Sequence, residues 1–192
     1  NSARIWEDPS IKFFNPFTKS GIFLREITTR LTNGLADAIP DLNDRVDHIL
    51  SNQIFGLAIT EITALMARRS IYCSKDATGS HSITSTFENP NGNIWFERIE
   101  HTWDKGICKY CGAKKSEYKR DKNFETHAYG LLHNENLSEW IQKIFGEKME
   151  FDVIIGNPPY QLSDGGAGAS ASPIYQKFIE QAMTLNPRVL AM

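Results

Sequence analysis

The chain has 192 residues, 41% hydrophobic, 23% charged and 11% aromatic, which suits one domain, with or without an insertion, and excludes collagenous, disordered and coiled-coil classes. No apolar run approaches the roughly 20 residues that a bilayer requires, and residues 1–7 lack a secretion signature, so a cytoplasmic protein without a membrane partner is expected. A net charge of −2 provides no overall field for non-specific nucleic-acid binding, and three cysteines, an odd number, argue for reduced thiols rather than a disulfide framework.

Strand-like and helix-like patterns alternate along the chain, which predicts an α/β fold with a mainly parallel sheet and crossover helices. The first strand covers Ile11 to Phe14. Ser20 is the predicted cap of a helix over 21–35, where Ile22, Phe23, Leu24, Ile27 and Leu31 form an apolar stripe that Asn33 and Gly34 end. A short helix near 44–51, a strand over 53–59 and a helix over 61–72 follow. Turn residues around 82–87 and 94–99 predict a hairpin. Cys73 reads as a small buried hydrophobe.

Residues 104–135 interrupt the alternation as an insertion. Seven cations stand against two acids between 105 and 122, so a local DNA contact and an ordinary solvated face are both open there. A helix over 137–145 leads to the most apolar strand, 151–155. Beyond Tyr160, residues 163–172 are small and flexible in composition, and residues 164–172 are expected to order near a bound base. A helix over 173–185 and a strand over 188–192 close the chain. Both ends read as cut, so a fragment of a larger protein is expected, organised as 1–103, the insertion 104–135, and 136–192.

The sharpest signal is the strand ending in Asn157, Pro158, Pro159 and Tyr160. In open parallel sheets ligands bind at the carboxyl ends of strands, where this tetrapeptide would sit. The prolines fix φ and remove donors, leaving carbonyls as acceptors. The Asn157 side-chain oxygen and the Pro158 carbonyl can each accept from a planar amino group while Tyr160 stacks on the attached ring, a contact worth ~1–3 kcal/mol per base. Holding both N–H bonds would free the nitrogen lone pair to attack an electrophilic methyl. A rigid turn closing a core strand is the alternative reading.

Asn-Pro-Pro-Tyr after a hydrophobic strand resembles the catalytic motif of amino-group methyltransferases that use S-adenosylmethionine, above all DNA adenine-N6 methylases. The wider pattern, from about Phe13 to Met192, is similar to methylase-endonuclease polypeptides of restriction-modification systems. The resemblance implies part of a Rossmann-like methyltransferase fold, S-adenosylmethionine as cofactor, and as partners target DNA with the rest of the parent polypeptide or a restriction subunit. Release-factor glutamine methyltransferases share the tetrapeptide, so protein glutamine or an RNA base is the alternative substrate. A non-catalytic nucleic-acid-binding fragment is the alternative class.

Such a family usually shows Asp-Pro-x-x-Gly-x-Gly-x-Phe at the first strand's end. Here Asn15, Pro16, Phe17, Lys19, Gly21 and Phe23 occupy that frame, with Asn15 in place of the acid and Lys19 in place of the first glycine. Glu61 is the nearest carboxylate to the expected ribose-binding position, and is equally a favourable first-turn helix residue. Glu100 and His101 are candidates for the adenine side by position alone.

Within the insertion, Cys108 and Cys111 form a C-x2-C knuckle; fifteen residues separate Cys111 from His127 and five separate His127 from His133. These spacings suit a tetrahedral, structural zinc ion. An unmetallated insertion and a redox-active pair are the alternatives.

Overall fold

The computed structural model describes residues 2–119, 121–160 and 173–192. Five short parallel strands form the main sheet: β1 (Phe13–Asn15), β2 (Ile54–Leu57), β3 (Ile94–Trp95), β6 (Val153–Ile155) and β7 (Val189–Ala191), in the order β3-β2-β1-β6-β7. In the insertion, β4 (Trp103–Asp104) and β5 (Ile107–Cys108) pair antiparallel. The helices are α1 (Ile22–Gly34), α2 (Leu42–His48), α3 (Glu61–Tyr72), the single turn α4 (Lys115–Tyr118), α5 (Leu137–Phe145) and α6 (Tyr175–Thr184). This is the expected α/β fold, an open parallel sheet with helices on both faces, and the insertion lies between its third and fourth strands.

Period-two alternation explains the two layers of core. Phe13, Ile54, Ile94 and Val153 bury one face with Leu24, Ile27 and Leu31 of α1 and Ala67 and Ile71 of α3. Phe14, Phe55, Leu57 and Ile154 bury the other with α5, α6 and the insertion. Phe14 stacks on Phe151 at 4.4 Å between ring centroids, fixing the register of β1 beside β6.

Three expectations are corrected. Residues 82–87 form no strand: Ile83 N–H donates to the Tyr72 carbonyl and the Thr84 and Thr86 hydroxyls bond each other, so local bonding replaces a ladder. Ile94–Trp95 instead pairs parallel with β2. Ser20 is not the cap of α1. Gly21 is, at φ 83°, and a Cβ there would stand 3.0 Å from the Ala67 Cα, so this glycine admits α3 against α1. Cys73 is exposed, at φ 62° in the C-cap of α3. Residues 161–172, which include the small-residue segment, lie outside the described residues. Among the described residues no helix is long and apolar enough to cross a membrane.

Candidate active site and Cys/His cluster

From β1 the chain moves outward to β2 and β3, then returns to β6 on β1's other side. The strand order therefore reverses between β1 and β6, the place where doubly wound sheets open a crevice at their carboxyl ends. A cleft of about 90 Å³ lies there, lined by Pro16, Phe17, Thr18, Lys19, Ile59, Tyr129, Asn157 and Pro159. The loop after β1 and the tetrapeptide after β6 thus share one cavity. A larger hollow of about 500 Å³, lined in part by Lys12, Glu150, Asp152 and Arg188, opens beside the starts of β1 and β6, the edge where such sheets do not place ligands.

The cleft's back wall is aromatic. Phe17 meets Phe178 edge-on at 5.0 Å and Tyr129 at 6.1 Å, and Tyr129 meets Phe178 at 5.0 Å. Burial pushes the Tyr129 hydroxyl up to about 12, so it is neutral at physiological pH. Asn157 and Pro159 are half-buried and Pro158 is buried, whereas Tyr160 is 68% exposed. The Tyr160 carbonyl accepts the Ile174 N–H, anchoring the tetrapeptide to the start of α6. Asn157 makes no side-chain hydrogen bond among the described residues, which leaves its amide available to a ligand.

On the cofactor side, Asn15 is buried; its Oδ1 accepts the Phe17 N–H at 2.8 Å and its Nδ2 has no partner. The Thr18 hydroxyl is also buried without a partner, and Thr18 lines the cleft. The orphaned Thr18 hydroxyl on the cavity wall, with the orphaned Asn15 amide three residues before it, fits a polar cofactor better than a closed core. The enclosed volume is well below the roughly 300–1,000 Å³ of a complete small-molecule site, so a whole nucleoside cofactor would extend past it. Lys19 sits at φ 47°, a left-handed conformation that suits glycine, and its side chain is exposed.

Of the expected cofactor residues, Pro16, Phe17 and Lys19 line the cleft, whereas Asn15, Gly21, Phe23 and Glu61 stand outside its lining. Phe23 is 41% exposed on α1, and Gly21 faces α3. Glu61 is exposed in the first turn of α3, where its backbone N–H donates to the Glu125 carboxylate of the insertion. Tyr129 and Glu125 escaped sequence reading because nothing local in the sequence ties the insertion to the carboxyl ends of β1 and β2, whereas Thr18 and Ile59 lie in the loops directly after those strands.

The ligand atoms of His101, which precedes the insertion, and of Cys108, Cys111 and His133 within it lie within 4.8 Å of one another, all four residues buried. His127, expected in this group, is exposed at φ 56° and stands outside it; His101 takes the fourth place. The cause is the β4–β5 turn. Lys105 and Gly106 both have positive φ, the two-residue hairpin geometry that folds residues 101–103 back alongside 108–111. Burial pushes the Cys111 thiol up to about 12 and the His133 imidazole down to about 4.

Comparison with known proteins now bears on these residues. The family model "Eco57I restriction-modification methylase" matches residues 52–192. The chain belongs to this family. The match takes in the insertion and the tetrapeptide, while the loop after β1 precedes it. A Mycoplasma pneumoniae protein described as an uncharacterized adenine-specific methylase is 37% identical over 206 residues, covering 98% of this chain and 49% of that protein. The chain thus spans about half the length of this curated relative. A solved structure, the ATP-dependent Type ISP restriction-modification enzyme LlaBIII bound to DNA, aligns at 19% identity and a TM-score of 0.44, over 89% of this chain and 10% of that one.

Proposed function

We propose that the chain carries the cofactor- and base-binding part of an S-adenosylmethionine-dependent DNA adenine-N6 methyltransferase within a restriction-modification enzyme. The observation that carries the reading is the shared cleft at the β1/β6 reversal, where Thr18 and Lys19 from one loop meet Asn157 and Pro159 from the other. Family membership and the relative described as adenine-specific support the substrate class.

When bound, S-adenosylmethionine supplies an electrophilic methyl on a sulfonium. The Asn15 Nδ2 and the Thr18 hydroxyl, both lacking partners, are the groups that would hold it. Asn157 Oδ1 and the Pro158 carbonyl each accept one N–H of the adenine amino group, which localises the nitrogen lone pair for attack. Tyr160, largely exposed, stacks on the base once it is flipped from the duplex, at a cost of a few kcal/mol. The Phe17 and Tyr129 rings exclude water from the back of the cleft. Among the described residues no carboxylate or imidazole lines it, so the surplus proton on the methylated nitrogen leaves to solvent.

Asn157→Ala is expected to abolish methyl transfer by the complete enzyme while calorimetry still detects S-adenosylmethionine binding. Undiminished transfer by the variant, or methyl uptake by release-factor protein in preference to duplex DNA, sinks the reading. Absence of cofactor binding by the complete enzyme would favour a nucleic-acid-binding role alone.

A further inference from the structure

Among the described residues of 99–136 the regular structure is two two-residue strands and one helical turn. So little regular structure does not normally hold a fixed shape without a staple. The segment is nonetheless packed: Leu131 and Leu132 are buried in the core cluster against which Trp103, Tyr110 and Tyr118 also pack. What converges at its centre is a donor set rather than an apolar plug.

His101 Nε2 lies 3.0 Å from the Thr126 carbonyl, so that nitrogen carries the proton and Nδ1 presents its lone pair, 3.4 Å from Cys111 Sγ. His133 shows the mirrored arrangement: Nδ1 lies 2.9 Å from the Tyr129 carbonyl, and Nε2 is buried with no partner. Each imidazole thus has one nitrogen oriented by a backbone carbonyl and the other turned free, the outer-shell pattern of metal-ligating histidines. Cys108 and Cys111 stand on a knuckle closed by Gly112 at φ 84°, where the Gly112 N–H donates to the Cys108 carbonyl at 3.0 Å and the Cys108 N–H to the Ala113 carbonyl at 2.8 Å.

We propose that His101, Cys108, Cys111 and His133 bind one structural zinc ion. Bonds of about 2.0–2.3 Å put tetrahedral ligand atoms roughly 3.3–3.8 Å apart, so a cluster within 4.8 Å closes on the ion by small side-chain movements. Binding displaces one proton from each thiol to solvent, and two thiolates with two neutral imidazoles bring the centre to zero net charge, which suits its burial. Four protein ligands leave no open position, so the ion is a staple and not a catalyst. It joins three parts of the fold. His133 bonds the carbonyl of Tyr129, which walls the cleft, and Lys177 of α6 donates to the Tyr110 carbonyl on the knuckle at 2.7 Å.

The test is metal content, which is read whether or not methyl is transferred. The full chain, purified reduced and without chelator, is expected to carry one zinc per chain by mass spectrometry, and its cobalt form to show tetrahedral ligand-field and thiolate charge-transfer bands. His127→Ala keeps the ion; His101→Ala and Cys108→Ser lose it. Should those variants fail to fold, His101→Cys still decides, because it keeps the ion and adds a third thiolate's charge-transfer absorption. A reduced chain that takes up neither zinc nor cobalt overturns the proposal, as does loss of metal in His127→Ala with retention in His101→Ala, or an unchanged cobalt spectrum in His101→Cys.

Discussion

The Asn15 side-chain oxygen accepts the Phe17 N–H at 2.8 Å, in a buried turn at the end of the central strand. This bond bends the chain out of the sheet and aims Phe17 at Gly156, so the turn shapes both sides of the β1/β6 crevice. Asn15→Ala leaves a buried N–H unsatisfied, which costs about 1–3 kcal/mol. A loss of unfolding free energy of that size in urea titration is expected, with weakened cofactor binding. Unchanged stability would show that the turn stands without the side chain.

Lys19 occupies a left-handed conformation where the related motif has glycine. That geometry costs an ordinary residue roughly 1–2 kcal/mol, partly offset by the extra entropy glycine loses on folding. Lys19→Gly is therefore expected to stabilise the chain slightly. Removing a cation beside a bound sulfonium should also tighten S-adenosylmethionine binding, by roughly two- to fivefold for a screened pair. Lys19→Asn, neutral and tolerant of positive φ, separates charge from strain. Calorimetry on the three proteins would refute the charge argument if both variants bound no tighter than the parent.

The Tyr72 hydroxyl, fully buried, accepts the Asn93 N–H at 2.9 Å and holds the start of β3. Burial raises its pKa well above the ordinary value, against smaller opposing effects of that hydrogen bond and of Arg68. Above a pH of about 10 the unfolded chain releases this proton and the folded chain keeps it, so the native state binds more protons and stability falls as pH rises. Below that pH the contribution is fully present. Tyr72→Phe should cost about 1–2 kcal/mol at neutral pH through the orphaned N–H, and flatten the alkaline decline. An equally steep decline in the variant would assign it to other groups.

Much of the fold is visible in local patterns. Phe13–Phe14, Ile54–Phe55 and Val153–Ile154 each send one residue to either face, α5 occupies its predicted residues, and the tetrapeptide lies at the carboxyl edge that its preceding strand implied. What stays hidden is set by long-range partners. Ile94 joins β2 because Asn93 donates to the Leu50 and Ser51 carbonyls and Arg68 caps the Ile94 carbonyl from α3. Gly21 has a packing role that its place in the motif does not announce, since a Cβ there would meet Ala67 of α3. His101 joins the cysteines because a two-residue turn reverses the chain between them, and cysteine-to-histidine spacing pointed to His127 instead. The signal that could have found it was Asp104-Lys105-Gly106, a hairpin turn directly between His101 and the knuckle.

Gly156 precedes the tetrapeptide, and its N–H donates to the Ala191 carbonyl at 3.0 Å. A Cβ here would stand 2.9 Å from the Phe17 ring and 3.1 Å from Asn15 Oδ1. Its φ is not left-handed, so the constraint is space and not backbone strain. Phe17 cannot retreat easily, since Tyr129 and Phe178 close around it. Gly156→Ala therefore pushes the end of β6 away from the loop after β1, an overpacking that costs about 1–3 kcal/mol. Because the same movement separates Asn157 from Thr18 and Lys19, methyl transfer should fall by more than the loss of folded protein explains. Thermal unfolding and single-turnover transfer measured on the same preparation decide the matter: transfer that tracks the folded fraction alone would mean that the spacing between the two loops does not govern the chemistry.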